Sequence, residues 1–155
     1  MSSKLQDEIR QTIPFQCVRE ELALNLSRTA AMLSHEMEQG LRGYGLSATQ
    51  YNVLRILRGA GAAGLCQYEV ADRLVAQVPD VPRILNRMEK AGWVQRTRGV
   101  LDRRVVTATL TERGQRLVGD LDAPMEQLLQ SMFSVMTEAE MTSMNELLVA
   151  ARTKA

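Results

Sequence analysis

The chain has 155 residues, 45% apolar and 24% charged, which is the composition of one ordinary globular domain rather than a disordered protein. Its apolar runs fall short of the roughly 18–20 residues that a membrane span needs, and it opens without a signal-peptide pattern, so we expect no membrane partner. With only two cysteines, which lack metal-ligand spacing, a reducing cytoplasm is the expected compartment. Cys17, Cys66 and the single histidine, His35, lack metal-ligand spacing, and no catalytic constellation is visible. The sequence therefore predicts neither an enzyme nor a metal or cofactor.

A long helix is the first predicted element, after a polar segment, residues 1–14, that we expect to be loose or to form a short helix. Apolar side chains recur at helical spacing over residues 16–42, a rod of about 40 Å at 1.5 Å per residue. A helix of this length exceeds what one small domain can cover, which predicts a partner subunit. Its stripe consists of Leu22, Leu26, Ala30, Leu33, Met37 and Leu41.

Two shorter helices follow and predict a helix-turn-helix. Ser47 and Gln50 form a capping box, which starts a helix with its apolar side chains turned inward. The glycine-rich segment 59–64 is expected to be a flexible loop, since it lacks the Lys and Ser/Thr of a phosphate-binding loop. The next helix is predicted over 67–76, with Val70, Ala71 and Leu74 buried, and pairs with the helix after it.

Residues 79–111 predict a helix, a glycine stop and a β-hairpin. From Val81 onward the apolar residues keep helical spacing, and Gly92 ends the helix. Two β-prone runs, 93–98 and 105–110, flank a basic turn. Residues 79–116 contain nine basic and four acidic side chains, whereas the whole chain has a net charge of only +1. A basic helix and hairpin on an otherwise mildly acidic chain are typical of a nucleic-acid site.

The same stretch carries a family resemblance. The patterns L-x-R-M-E-K-A-G-W-V-x-R and D-R-R-V-V-T-A-T-L-T-x-x-G resemble the winged-helix core of the MarR family of bacterial transcription regulators, over residues 46–118. The resemblance implies a mainly α (α+β) fold in one domain, 1–155, with a winged helix-turn-helix core at 46–118 and dimerisation helices at 1–45 and 119–155. It also implies a homodimer on double-stranded DNA and a cleft for a small aromatic or phenolic ligand.

Candidate DNA contacts lie on the helix after residue 79 and on the hairpin. Arginine pairs with guanine and asparagine with adenine, while wing arginines suit phosphate or the narrow minor groove. The resemblance places Arg103 and Arg104 in the minor groove and on the backbone, and we expect charge-assisted hydrogen bonds to Asp102 to orient them. Asp80 is a candidate contact or simply the helix N-cap. The recognition-helix candidates are Asp80, Arg83, Asn86 and Arg87, and the wing candidates are Arg96, Arg98, Asp102, Arg103 and Arg104.

Helices are also predicted for the C-terminal region. Pro124 predicts a kink near 122–124, and Thr137 with Glu140 forms a second capping box. The apolar stripes at 16–42 and 125–151 exceed what one winged helix needs, and are the predicted dimer surfaces.

The sequence thus predicts a homodimeric MarR-type regulator, a repressor that binds a pseudo-palindromic operator and is released by a small ligand. One alternative is a redox-responsive regulator. Cys66 lies at a helix N-cap position with Glu69 in the capping-box place, and Cys17 invites comparison with hydroperoxide sensors of the family. Another is a dimeric interaction protein whose winged helix docks a protein, favoured by Pro79 and Pro82 at the start of the recognition helix.

Overall fold

A computed structural model of the chain describes residues 3–99 and 106–153. It is mainly helical with a three-stranded antiparallel sheet in the order β1-β3-β2, which agrees with the predicted α+β architecture. The helices are α1 (Lys4–Glu8), α2 (Val18–Arg42), α3 (Ala48–Ala60), α4 (Gln67–Arg73), α5 (Val81–Lys90), α6 (Glu112–Asp120), α7 (Asp122–Met132) and α8 (Glu138–Arg152). The strands are β1 (Leu65–Cys66), β2 (Val94–Arg98) and β3 (Val106–Leu110). The chain separates into two compact units, residues 1–118 and 119–155.

The start of α3 is fixed by side chains from two helices. The Ser47 hydroxyl accepts from the Gln50 backbone amide at 3.2 Å, and the side-chain Oε1 of Gln50 accepts from the Ser47 backbone amide at 3.0 Å, so the predicted capping box is confirmed. Glu38 of α2 accepts from the Ala48 amide at 2.9 Å. These bonds satisfy amides that a helix start leaves without intrahelical partners, and hold α2 against α3. The core of this unit includes Leu41, Val53, Leu54, Leu57, Val70, Met88, Val94 and Val118, all fully buried.

The glycine-rich segment 59–64, predicted to be a flexible loop, consists of the end of α3 and a 3₁₀ turn. A 3₁₀ turn, Gly61–Ala63, follows α3, and β1 pairs with β3 directly afterwards. Gly64 adopts φ +63°, and a Cβ there would lie 2.5 Å from the Ala108 carbonyl oxygen, so strand β3 passes where a side chain would stand. Strand β1 was not predicted, because two residues are too few to give a period-two pattern.

Helices α4 and α5 form the predicted helix-turn-helix, but α4 is shorter than expected. It ends at Arg73 rather than at residue 76. Val70 is buried as predicted, whereas Leu74 is half-buried and Ala71 is exposed, which corrects the predicted inner face. Residues 74–80 therefore form an irregular linker that leads to the start of α5.

The C-terminal unit holds the end of α6 and helices α7 and α8. The helical axis is interrupted at Leu121, so that Pro124 falls in the first turn of α7, where its missing amide is tolerated. Thr137 caps α8 with the predicted box, and the Glu140 carboxylate accepts from the Thr137 amide at 2.8 Å. Leu121 and Met125 are buried, but several large apolar side chains are exposed, namely Leu129, Val135, Leu147 and Val149.

Candidate nucleic-acid interface

Helix α5 owes its orientation to a cap and an apolar stripe. The Asp80 carboxylate accepts from the Arg83 amide at 2.9 Å, so the N-cap explanation for Asp80 is confirmed. Pro82 occupies the first turn, where its lack of an amide costs little. Val81, Leu85 and Met88 are buried, and this burial presents the opposite side of the helix to solvent.

Three cations occupy that exposed side. Arg83, Arg87 and Lys90 follow one another at intervals of four and three residues, and all three are exposed. Within residues 3–99 and 106–153 their charged groups have no acidic or hydrogen-bonding partner. We call these three side chains the cationic row. Lys90 was absent from the predicted site residues, although its spacing from Arg83 and Arg87 is the signal that would have found it.

Next to the cationic row, side chains of α5 form hydrogen bonds with strand β2 of the hairpin. The Arg96 guanidinium donates from Nε to the Glu89 carboxylate at 2.8 Å and from Nη2 to Asn86 Oδ1 at 3.1 Å. The Arg96 amide also donates to Glu89, at 3.1 Å. These hydrogen bonds and the charge of Arg96 hold the pKa of Glu89 below its usual value. We call this group, Asn86, Glu89 and Arg96, the α5–β2 clamp.

The clamp changes the account of two predicted DNA contacts. Arg96 directs its guanidinium at α5, and Asn86 Oδ1 is already accepting a hydrogen bond, whereas paired recognition of adenine uses both the oxygen and the amide nitrogen of an asparagine. The sequence contained a signal for this arrangement. Glu89 lies in the last turn of α5, and Arg96 lies on the strand that returns along that turn after Gly92.

The hairpin is anchored at its base. The Thr111 hydroxyl donates to the Gly92 carbonyl at 2.7 Å and accepts from the Gly114 amide at 3.0 Å. Gly114 is buried, and a Cβ there would collide with the Trp93 carbonyl. At the other end Arg98 pairs in register with Val106 and is exposed. The predicted wing residues Asp102, Arg103 and Arg104 lie outside the described residues.

The two cysteines lie at helix starts. Cys66 precedes α4, and its amide donates to the Glu69 carboxylate at 2.8 Å. Hydrogen bonds from the Cys66 backbone and thiol lower the pKa of Glu69. Cys17 precedes α2 and is exposed, and both thiols are free. No cluster of metal-ligating side chains occurs in the described part of the chain, and redox sensing by either cysteine stays a prediction.

A cavity of about 330 Å³ opens between α2, α3 and the linker 74–80. Its wall is mostly apolar, with Leu33 and Met37 from α2 and Leu74 from the linker. The Arg55 guanidinium, also in the wall, lies 5.9 Å from the centre of the Tyr51 ring. The cavity therefore joins an apolar surface to the cation of Arg55.

Comparison with known proteins identifies this arrangement. The MarR family model matches residues 46–106. A MarR transcription factor from Planctomyces limnophilus, known from its crystal structure, is 33% identical, with a TM-score of 0.69, and the match covers 88% of this chain and 98% of that one. The chain belongs to the MarR family.

Other MarR-type regulators are similar over comparable lengths. The HTH-type transcriptional regulator MhqR of Bacillus subtilis is 27% identical over 128 residues, covering 83% of this chain and 87% of MhqR. S. aureus MepR, solved as a complex with DNA, is 25% identical, with a TM-score of 0.71, covering 81% of this chain and 94% of that one. Since MarR-family proteins are transcription regulators rather than enzymes, this MarR-family chain is a DNA-binding transcription regulator with the predicted winged helix-turn-helix fold. No helix in its described residues is long and apolar enough to cross a membrane.

Proposed function

We propose that the protein is a homodimeric repressor that binds a pseudo-palindromic operator through α5 and the β2–β3 hairpin and is released by a small ligand. The cationic row carries this proposal, because three exposed cations without partners among the described residues lie on one side of the second helix of a helix-turn-helix. That helix is the one that enters the major groove in such motifs. The complex of MepR with DNA supports the same use of the fold.

Within the cationic row we assign base reading to Arg83 and Arg87 and phosphate contact to Lys90. Arginine offers a planar fork that fits guanine O6 and N7, whereas lysine is a point charge on a flexible stem. Arg83 is nearest the start of α5, the part of a recognition helix that commonly contacts bases. The carboxylate of Asp80 is held by the Arg83 amide, so Asp80 serves the helix rather than the DNA.

For the wing we propose that Arg98, Arg103 and Arg104 contact phosphates or the minor groove and that Asp102 orients the arginines. Arg98 is exposed at the far end of β2, beyond the reach of the clamp. Neutralising phosphates in this way makes binding strongly dependent on salt.

Dimerisation is proposed for the apolar surfaces of both units. On α2 the side chains of Val18, Leu22, Leu24 and Met32 are 40–81% exposed, and the C-terminal unit also exposes leucine and valine side chains. Many large apolar side chains exposed in this way are typical of an interface. A two-fold dimer places two recognition helices about 34 Å apart, one turn of DNA. Sedimentation at low micromolar concentration is expected to give about twice the chain mass of 17.3 kDa, and a folded monomer would contradict the dimer.

For the ligand we propose a small aromatic or phenolic acid in the cavity between α2, α3 and the linker. Its volume of about 330 Å³ is at the small end of ligand pockets, and Arg55 supplies a cation for a carboxylate. Benzoate is a suitable probe. It should raise the melting temperature of the free protein and weaken DNA binding, and Arg55→Ala should reduce both effects, whereas an equal response in Arg55→Ala would reject the assignment.

The experiment that tests the central proposal is footprinting on DNA flanking the coding region, followed by titration at several salt concentrations. We expect protection of two half-sites about 10 bp apart and an affinity that falls steeply with salt. A folded dimer without salt-dependent affinity for duplex DNA would favour the alternative in which the winged helix docks a protein.

A further inference from the structure

The linker 74–80 determines where the recognition helix begins, because Asp80, its last residue, is the N-cap of α5. The linker is irregular and follows a helix of only seven residues. The Asn52 side chain of α3 is bonded to the first part of the linker. Asn52 Oδ1 accepts from the Val75 amide at 3.0 Å, which ties the linker to a helix whose neighbouring side chains belong to the core.

Apolar packing does little to hold the linker at this point. The wall of the 330 Å³ cavity includes Asn52 together with residues 74–76, so open space adjoins the linker where a packed side chain would otherwise support it. Val75 is 91% exposed, and its side chain therefore adds little burial. At Val75 the position of the linker therefore depends on directional hydrogen bonding more than on contact area.

We propose that Asn52 is a positioning residue for DNA reading, which acts through the Val75 amide and the linker to set the pose of α5. The proposal rests on the proposed function in one respect, namely that α5 reads bases. Base contacts carry the sequence preference and need the recognition helix in a defined pose, whereas phosphate contacts carry no sequence information. Removal of the Asn52 bond should therefore lower affinity for the operator more than affinity for random DNA.

The test compares three variants of the full chain. Asn52→Ala removes the acceptor, Asn52→Asp keeps an acceptor of the same shape, and Gln50→Ala weakens the start of α3 without touching the linker. Gln50 is the matched control for helix stability, since its side chain belongs to the capping box. Affinities for operator and random DNA, the salt slope and the hydrogen-exchange rate of the Val75 amide are the measurements.

We expect Asn52→Ala to lower the operator-to-random affinity ratio by about fivefold for each half-site, the equivalent of one ordinary hydrogen bond, with an unchanged salt slope. Its Val75 amide should exchange faster. Asn52→Asp should keep the wild-type affinity ratio and the wild-type exchange rate of the Val75 amide. Gln50→Ala should lower the melting temperature and leave the operator-to-random affinity ratio unchanged. Equal ratios in Asn52→Ala and Gln50→Ala, or unchanged exchange at Val75, would overturn the proposal. If Arg83→Ala still alters base preference in that case, the positioning role alone fails; if it does not, the proposed function fails with it.

Discussion

Two sides of the same helix, α5, carry polar side chains that differ in whether the described protein supplies them with hydrogen-bonding partners. On one side Arg83, Arg87 and Lys90 face solvent without partners among the described residues. On the other side Asn86 and Glu89 are bonded to Arg96 of β2, at 3.1 and 2.8 Å. The first side is available to DNA, and the second holds the hairpin against the helix.

The difference shows that an arginine forms an intramolecular ion pair only where a carboxylate lies within reach of its guanidinium. Arg96 and Arg98 lie two residues apart on β2, so alternation places them on the same face of the sheet. Glu89 is within reach of Arg96, whereas Arg98 is exposed. Arg96 is bonded to Glu89 within the protein, whereas Arg98 has no acidic partner among the described residues, although the sequence made both equally good candidates for DNA contact.

Removal of a base-reading cation should have the largest effect. Arg83→Ala should weaken operator binding by about 1–3 kcal/mol for each half-site, because the variant can no longer form paired hydrogen bonds to a guanine. Since each dimer carries two copies, the measured effect should be roughly twice as large. Titration by fluorescence anisotropy measures it, with circular dichroism as the control for folding. Unchanged affinity in a folded variant would remove Arg83 from the site.

Breaking the clamp should affect stability more than the salt dependence of binding. Arg96→Ala leaves Glu89 and Asn86 without their partner. It should lower the free energy of unfolding by about 1 kcal/mol, the contribution expected of a partly exposed ion pair with added hydrogen bonds. Arg98→Ala is the matched control from the same strand. It should preserve stability and reduce the slope of log affinity against log salt. The reverse pattern in the two variants would exchange their roles.

Replacement of Lys90 should give a smaller change that is independent of DNA sequence. Lys90→Ala should reduce the salt slope by about 0.9 for each phosphate that the variant no longer neutralises. Operator and random DNA should be weakened alike, because phosphates carry no sequence information. A variant with reduced affinity for the operator but not for random DNA would show instead that Lys90 reads a base.

Lowering the pH should weaken the α5–β2 clamp, with the smallest expected effect of the four changes. The pKa of Glu89 is lowered in the folded chain, chiefly by the hydrogen bonds from Arg96. Its stabilising contribution is therefore complete above the ordinary glutamate pKa of 4.5 and disappears as the pH falls through the lowered value. Urea unfolding should find the wild type more stable than Glu89→Gln by less than about 1 kcal/mol at pH 7, with the difference vanishing in acid. A difference that persists in strong acid, where the carboxylate is protonated, would mean that charge on Glu89 is not its cause.

Local sequence signals predicted much of the fold. Ser47–Gln50 and Thr137–Glu140 specified two helix starts, and the period of apolar residues specified the buried side of α5. These features depend on residues within a few positions of one another. They need no knowledge of the tertiary structure.

Features that arise from distant contacts were missed. Strand β1 exists because Gly64 allows β3 to pass close by, and the clamp exists because the hairpin returns Arg96 to Glu89. The bond from the Val75 amide to Asn52 spans 23 positions, so no local pattern announces it. The hydrogen bonds of Arg96 to Glu89 and Asn86 were likewise not predicted, and the DNA contacts proposed for Asn86 and Arg96 from the sequence took no account of them.

The most direct test of the two-sided account of α5 is selection of binding sites from a randomised DNA pool by the wild type, Arg83→Ala and Arg96→Ala proteins. Arg83→Ala should lose preference at one base position in each half-site, the position of a guanine in the wild-type site. Arg96→Ala should select the wild-type sequence with lower yield, because the clamp supports the helix and does not read bases. Loss of preference at a base position in Arg96→Ala, with the wild-type sequence retained by Arg83→Ala, would contradict the account.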